Sequence, residues 1–346
     1  MALYIGIDLG ATNAKAALVD DRGRVLRYAS VALGADAVTQ APAVVAAACA
    51  EAAAGAAGDA WARVALVGLG APGVIFGGDI LGIANLFEGA AFPVPLAALV
   101  SAAVVSRSGA RLGVVLLNDA DAAVAAECWV GAAVGLRRAA VLTLGSGVGC
   151  GLVVDGRPLP PATAGGGLEG GHMVVGGVGG APCGCGSRGC LEAYASANAV
   201  ARAYANATGE AGVACGAVFS RAEGGDAAAL AVVDGAAAHL ALGCDNLCRV
   251  LDCERVVLAG GMSAAGDFLL SRVRARVRKT GWTVLPTFED RVVLADAGSH
   301  AGCVGAAKAA RDADGRRRRK MPPAAAALAA ALALALAAAA LARSRR

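Results

Sequence analysis

Residues 4 to 23 read Tyr4-Ile5-Gly6-Ile7-Asp8-Leu9-Gly10-Ala11-Thr12-Asn13-Ala14-Lys15-Ala16-Ala17-Leu18-Val19-Asp20-Asp21-Arg22-Gly23. An apolar run ending in the acid Asp8 is followed by a glycine turn and a second run, Ala16 to Val19, closed by Asp20 to Gly23. That order reads as strand, tight turn, strand. It returns far downstream, where Ala139 to Leu144 leads into Gly145-Ser146-Gly147-Val148-Gly149, and Gly151 to Val154 closes on Asp155-Gly156. The spacing is too long for a solenoid and predicts two related halves. Between the hairpins, Val38 to Ala57 and Ala120 to Trp129 read as helices, and Val64 to Leu69 and Gly113 to Leu117 as strands. Beyond them, Leu191 to Asn206 and Ala227 to Val250 read as helices, and Arg255 to Ala259 as a strand entering Gly260-Gly261. Strands alternating with helices indicate the α/β class.

The 346 residues are enough for about two domains with sizeable cores. Hydrophobic residues at 57% against 17% charged exclude a disordered chain. The net charge of +4 is set by the C-terminal end, since residues 316–346 carry eight Lys or Arg and no acid. The remainder is mildly acidic, which argues against a general nucleic-acid binder. The N-terminus shows no charged start followed by an apolar run and cleavage site, so the eleven Cys are expected to be reduced and intracellular.

Gly10 and Thr12, after a strand ending in Asp8, allow backbone N–H groups and a hydroxyl to face an anion, with a carboxylate beside them for hydrated Mg²⁺. An ordinary hairpin turn uses the same residues. The second turn, Gly145 to Gly149, lets two such loops clasp a polyphosphate from opposite sides of a cleft, and Gly260-Gly261 offers bare backbone to an adenosine. Neither turn matches the GxxxxGKS/T loop or a strand-to-helix GxGxxG. His172, Cys183, Cys185 and Cys190 are separated by 10, 1 and 4 residues with glycines between them, a full tetrahedral set for a structural zinc. Asn118-Asp119 at a strand end fits either a carboxylate that takes a proton from an attacking sugar hydroxyl or the cap of the next helix. Glu169 and Glu192 flank the Cys cluster, either as a fixed acceptor pair for a polyhydroxylated ligand or as solvated surface acids.

In order, Asp8 to Lys15, Gly70-Ala71-Pro72-Gly73, Asn118 to Asp121, Leu142 to Gly149, Glu169-Gly170-Gly171-His172, Cys183 to Glu192 and Leu258 to Gly261 resemble the ROK family of sugar kinases and repressors, over roughly residues 3 to 310. The resemblance implies an actin-like (ribonuclease H-like) two-domain ATPase fold with the active site in the interdomain cleft. It implies Asp119 as general base, with Gly73, Asn118, Glu169, His172 and Glu192 also on the sugar. Asp8, Gly10, Thr12, Lys15, Thr143, Gly145, Ser146 and Gly147 would bind the phosphates of ATP, and Gly260 and Gly261 the adenosine. His172, Cys183, Cys185 and Cys190 would hold zinc, and Mg²⁺ would arrive with ATP. The expected partners are a hexose, ATP and further copies of the chain in a homodimer or larger homo-oligomer, with no nucleic acid. Departures from the family pattern are Ala11, Ser146, Asp121 and Gly170.

Tyr194-Ala195-Ser196 is similar to the glucokinase branch, and N-acetylmannosamine kinases carry a related stretch. Repressors of the family place a helix-turn-helix domain ahead of the first turn; a turn beginning at residue 8 leaves no room for one, so a kinase is expected. The expected domains are 1–117 with about 297–315, 118–296, and a tail of 316–346. The expected location is cytoplasmic. Within the tail, the uncharged run 324–342 has the length of a bilayer span, and reads either as a membrane anchor or as a low-complexity Ala-rich extension.

Overall fold

A computed structural model describes residues 2–10, 12–34, 37–54, 60–82, 91–162, 167–177, 179–280 and 288–320. The opening hairpin is β1 (Leu3–Leu9) against β2 (Asn13–Asp20), antiparallel from Leu3 opposite Asp20 to Leu9 opposite Ala14. β3 (Val25–Ala32) extends it. After α1 (Ala37–Ala53) and α2 (Ala60–Arg63), β4 (Val64–Ala71) pairs parallel to β1. A small ribbon, β5 (Val74–Phe76) with β6 (Asp79–Gly82), then leads through α3 (Leu96–Ser108) to β7 (Val114–Asn118), parallel to β4. The resulting sheet has the order β3-β2-β1-β4-β7.

The second half repeats the plan after α4 (Asp119–Val130). β8 (Arg138–Leu144) and β9 (Val148–Val154) form the second hairpin and β10 (Arg157–Pro158) its short third strand. Four helices follow, α5 (Glu192–Ala195), α6 (Ala197–Thr208), α7 (Cys215–Glu223) and α8 (Ala227–Leu251). β11 (Arg255–Ala259) pairs parallel to β8, and β12 (Val292–Leu294), beyond α9 (Asp267–Thr280), pairs parallel to β11. The order is β10-β9-β8-β11-β12. Counted within each half, both sheets run third, second, first, fourth, fifth. The repeated hairpin is therefore the visible part of a repeated five-stranded unit.

Period-two alternation decides which faces are covered. Leu3, Ile5, Ile7 and Leu9 point into a core completed by α1 and α3. The opposite face of the first sheet is covered by α10 (Ala301–Lys320), the last described element, through Cys303, Ala307 and Ala310. This approach requires glycine at two strand positions: a Cβ on Gly6 would overlap the Cys303 carbonyl oxygen, and one on Gly68 the Ala306 carbonyl oxygen. α4 packs on the second sheet through Val124, against Val141, Val153 and Val257, and also against α10. α4 and α10 thus form the layer between the sheets.

Two readings are revised. Leu191 to Asn206 is not one helix but α5 and α6, because Ser196 adopts extended backbone and its hydroxyl caps α6 by accepting from the Ala199 N–H at 3.1 Å. The basic run is not a structural boundary at 316. α10 continues through it to Lys320, with Arg318 bonded to Asp314 at 2.9 Å and the Tyr4 hydroxyl donating to the same carboxylate at 3.2 Å. Among the described residues α8 alone is long and apolar enough to cross a bilayer, and it packs in the core of the second half through Val233, Leu240 and Cys244. The run 324–342 and Ala11 lie outside the described residues.

Candidate active site

β7 ends at Asn118, which caps α4: its Oδ1 accepts from the Ala120 N–H at 2.8 Å. Its Nδ2 donates to the Gly73 carbonyl at 2.9 Å, tying the cap to the turn after β4, where Gly73 has φ of +106°. Asn118 thus takes the capping role and leaves Asp119 as the first helical residue. Asp119 Oδ1 accepts from the Ala120 N–H at 2.9 Å, and among the described residues no bond is made by its other oxygen. Burial holds the Asp119 carboxyl above its ordinary range, opposed by the Ala120 N–H and reinforced by the charge of Asp8. Two residues further, burial and the charges of Asp119 and Glu169 push Asp121 up to about 6. The sequence singled out Asp121 only as a departure from the family pattern; three carboxylates converging on one point is a property of the fold.

His172, Cys183, Cys185 and Cys190 come together, their ligand atoms all within 4.8 Å of one another. The His172 Nδ1 lies 3.4 Å from Cys183 Sγ, and Cys185 Sγ lies 3.7 Å from Cys190 Sγ. A tetrahedron with Zn–S near ~2.3 Å and Zn–N near ~2.0 Å has edges of about 3.5 to 3.8 Å, so the donor set fits zinc. The other ring nitrogen, Nε2, faces Glu169 Oε2 at 3.8 Å. Glu192 also borders the cluster. Its Oε1 is 3.9 Å from Cys183 Sγ, while its Oε2 accepts from the Val148 N–H at 2.9 Å. Glu169 thus lies beside His172, and Glu192 joins the cluster to the second glycine turn.

At the first turn the Gly10 N–H donates to Asn13 O at 3.0 Å, and the Thr12 hydroxyl accepts from Asn13 Nδ2 at 2.9 Å. Lys15 on β2 lies 3.5 Å from Asp8. At the second, the Gly145 N–H donates to Gly147 O at 3.0 Å, and the Gly145 carbonyl accepts from the Ala197 N–H at 2.8 Å. The Gly10 and Gly145 amides thus close their own turns. Thr143 stands against Gly149, where a Cβ would overlap its hydroxyl. Gly260, with φ of +85°, brings the third turn onto the end of β8, where a Cβ would come 2.7 Å from both the N and the O of Leu144.

A pocket of 660 Å³ opens between Ser146 on the second turn, Gly261 and Met262 on the third, and α6 and α7. Asn198, Cys215, Phe219 and Glu223 line it. None of these was anticipated. They lie dozens of positions from either turn on Ala-rich helices, and no local pattern marks them. Its size is in the range of small-molecule sites.

The sequence profile of the ROK family matches residues 4–313. The chain is 38% identical over 210 residues to the glucokinase of Halalkalibacterium halodurans, covering 56% of this chain and 62% of that protein. It is 30% identical over 336 residues to the glucokinase of Streptomyces coelicolor, covering 91% of this chain and 99% of that protein. A crystal structure of a ROK family glucokinase from Streptomyces griseus in complex with glucose and AMPPNP superposes with a TM-score of 0.74 at 31% identity, covering 90% of this chain and all of that one. N-acetylmannosamine kinases match over shorter stretches, that of Citrobacter koseri over 155 residues.

Proposed function

The chain belongs to the ROK family and has its actin-like fold, and on that premise we propose that it is a sugar kinase that transfers the γ-phosphoryl group of ATP to the 6-hydroxyl of a hexose, with glucose the preferred acceptor. The observation that carries this is the division of labour at the start of α4. Asn118 caps the helix and grips Gly73, so the neighbouring carboxylate of Asp119 is held at the strand end with one oxygen available.

Asp119 accepts the proton of the sugar hydroxyl as that oxygen bonds to the γ-phosphorus and the bond to the β,γ-bridging oxygen breaks, giving a hexose 6-phosphate and ADP. Asn118, Glu169, His172, Glu192 and the backbone at Gly73 orient the sugar. The phosphates lie between the turns carrying Gly10, Thr12 and Lys15 on one side and Thr143, Gly145, Ser146 and Gly147 on the other. The adenosine enters the pocket beside Gly260 and Gly261. Mg²⁺ bound with ATP neutralises phosphate charge, and the oxygen donor of Asp8 suits that hard cation. Zinc on His172, Cys183, Cys185 and Cys190 is structural and fixes the His172 ring so that Nε2 faces the sugar.

We further propose two lobes, 1–117 with about 297 to the end of α10, and 118–296, with the sugar and nucleotide between them. We propose a cytoplasmic homo-oligomer. A fusion of residues 310–346 to a fluorescent reporter tests the anchor: carbonate extraction from membranes, or a diffuse signal, removes it. ADP release coupled to a reporter reaction is to be measured with glucose, N-acetylmannosamine, N-acetylglucosamine and fructose, each with ATP and with polyphosphate. Turnover highest with glucose and ATP is expected. A faster amino sugar reassigns the acceptor, and no sugar-dependent ADP release at all defeats the kinase reading.

A further inference from the structure

The chain passes between the two sheets twice, through residues 131–137 from α4 into β8 and through 295–300 from β12 into α10. A rotation of the second sheet against the layer of α4 and α10 is taken up at these two links. One side chain holds both. Glu127, on α4, is 1% exposed. Its Oε2 accepts from the Ala132 N–H at 2.7 Å and from the Asp296 N–H at 3.2 Å, and its Oε1 accepts from the Ala297 N–H at 2.9 Å. Its backbone carbonyl accepts from Gly131 and Ala133 on the first link as well. Gly131 leaves room for the carboxylate, since a Cβ there would overlap Oε2. A buried carboxylate is kept only where donors surround it, and here every donor is backbone from one of the two crossings.

We propose that Glu127 is a positioning residue that pins the two crossings to a single pivot and so sets the geometry in which the cleft closes over its substrates. A backbone amide on each link is fixed relative to α4, the helix that carries Asp119 at its other end. Without the clasp the links move independently, open arrangements multiply, and a sugar that needs the closed one must first refill it. The kinetic part of this inference rests on the kinase reading above.

The test uses the full chain with Glu127→Gln, which keeps the shape but turns one acceptor into a donor facing backbone N–H groups. Amide hydrogen exchange in the ligand-free protein is read at 131–133 and 295–300, and KM and kcat are measured with glucose. The expected result is faster exchange at both links together, a KM for glucose about tenfold higher, and kcat within about threefold of wild type. Unchanged exchange, or faster exchange at only one link, overturns the pivot. Faster exchange at both links with an unchanged KM also overturns it, because the clasp would then be structural only. Should Glu127→Gln fail to fold, Gly131→Ala displaces the carboxylate without removing it and is judged by the same readings. A wild-type protein with no hexose-dependent ADP release condemns the kinase reading instead, and the pivot is then decided by exchange at the two links alone.

Discussion

The two glycine hairpins are built on the same strand order, yet they are held very differently. The first closes largely on itself, Gly10 bonding Asn13 and Thr12 meeting the Asn13 side chain, with one bond from just beyond β3, the Leu33 N–H on the Thr12 carbonyl at 2.8 Å. The second is gripped from outside, by Ala197 on its carbonyl, by Glu192 on the Val148 amide and by Gly260 against the end of β8. Ala197 and Glu192 come from chain added between β10 and β11, the stretch that also brings the Cys cluster, while Gly260 follows β11 of the repeated unit itself. A duplicated unit supplies two like hairpins; the chain added to one copy holds its turn from outside and carries the Cys cluster.

The sharpest way to break this asymmetry is at Asp119, which stands between the halves. Asp119→Asn keeps the shape and the Ala120 bond but removes the proton acceptor, and a fall in kcat on the order of 10²- to 10⁴-fold is expected, with a smaller change in sugar KM. A variant that retains half of wild-type turnover shows that another group takes the proton.

Next is the metal. Elemental analysis is expected to give one zinc per chain. Stripping it is expected to weaken sugar binding at least on the order of 10- to 100-fold, because His172 and Glu192 lose the anchor that aims them. A calorimetric titration of the stripped protein with glucose checks this, and unchanged affinity removes the cluster from the sugar site.

The turns themselves sharpen the contrast. Gly260→Ala forces a side chain into φ of +85° and against Leu144, and is expected to cost about 1–3 kcal/mol of stability. Gly10→Ala meets nothing nearer than the Asn13 carbonyl at 3.5 Å and is expected to change stability by less than about 0.5 kcal/mol. Thermal melts of the pair decide it; equal losses would make the hairpins alike.

The smallest effect concerns Asp121, which is raised to about 6 by burial and by Asp119 and Glu169. Between the ordinary carboxylate range and about pH 6 the folded state holds a proton that the unfolded state has released, so this residue's contribution to stability falls as pH rises through that window. Asp121→Asn removes the penalty. It is expected to raise the melting temperature by a few degrees at pH 7.5 and to leave it nearly unchanged near pH 4. A gain that is equal at both pH values rules out the charge as its cause.

Local chemistry was legible in the sequence and long-range packing was not. Apolar runs on either side of Gly10 and Gly145 announced the hairpins, and three Cys within eight residues announced the cluster, because each signal sits in one short stretch. Ser196 gave no warning that it divides a helix, since an N-cap serine in Ala-rich surroundings looks like any helical serine. Gly6 and Gly68 read as small strand residues, and their reason for being glycine lies on α10. Asn198, Cys215 and Glu223 become pocket residues only when α6 and α7 fold back beside the second turn. Glu127 looked like one more acid on a helix until two distant links converged on it.

α10 also imposes an order on the birth of the molecule. The face of β1 and β4 that carries Gly6 and Gly68 is made within the first 71 residues, but the helix that covers it is made about 230 residues later, from Ala301 onward. Throughout elongation the first sheet has one finished core and one bare face, and Tyr4 waits for Asp314, 310 positions away. Such a pairing has a high contact order and leaves apolar strand surface open to solvent while the second half folds. A nascent chain arrested before residue 301 is therefore a natural client for chaperones, and the first sheet is completed only after residues 301 to 320 have been made.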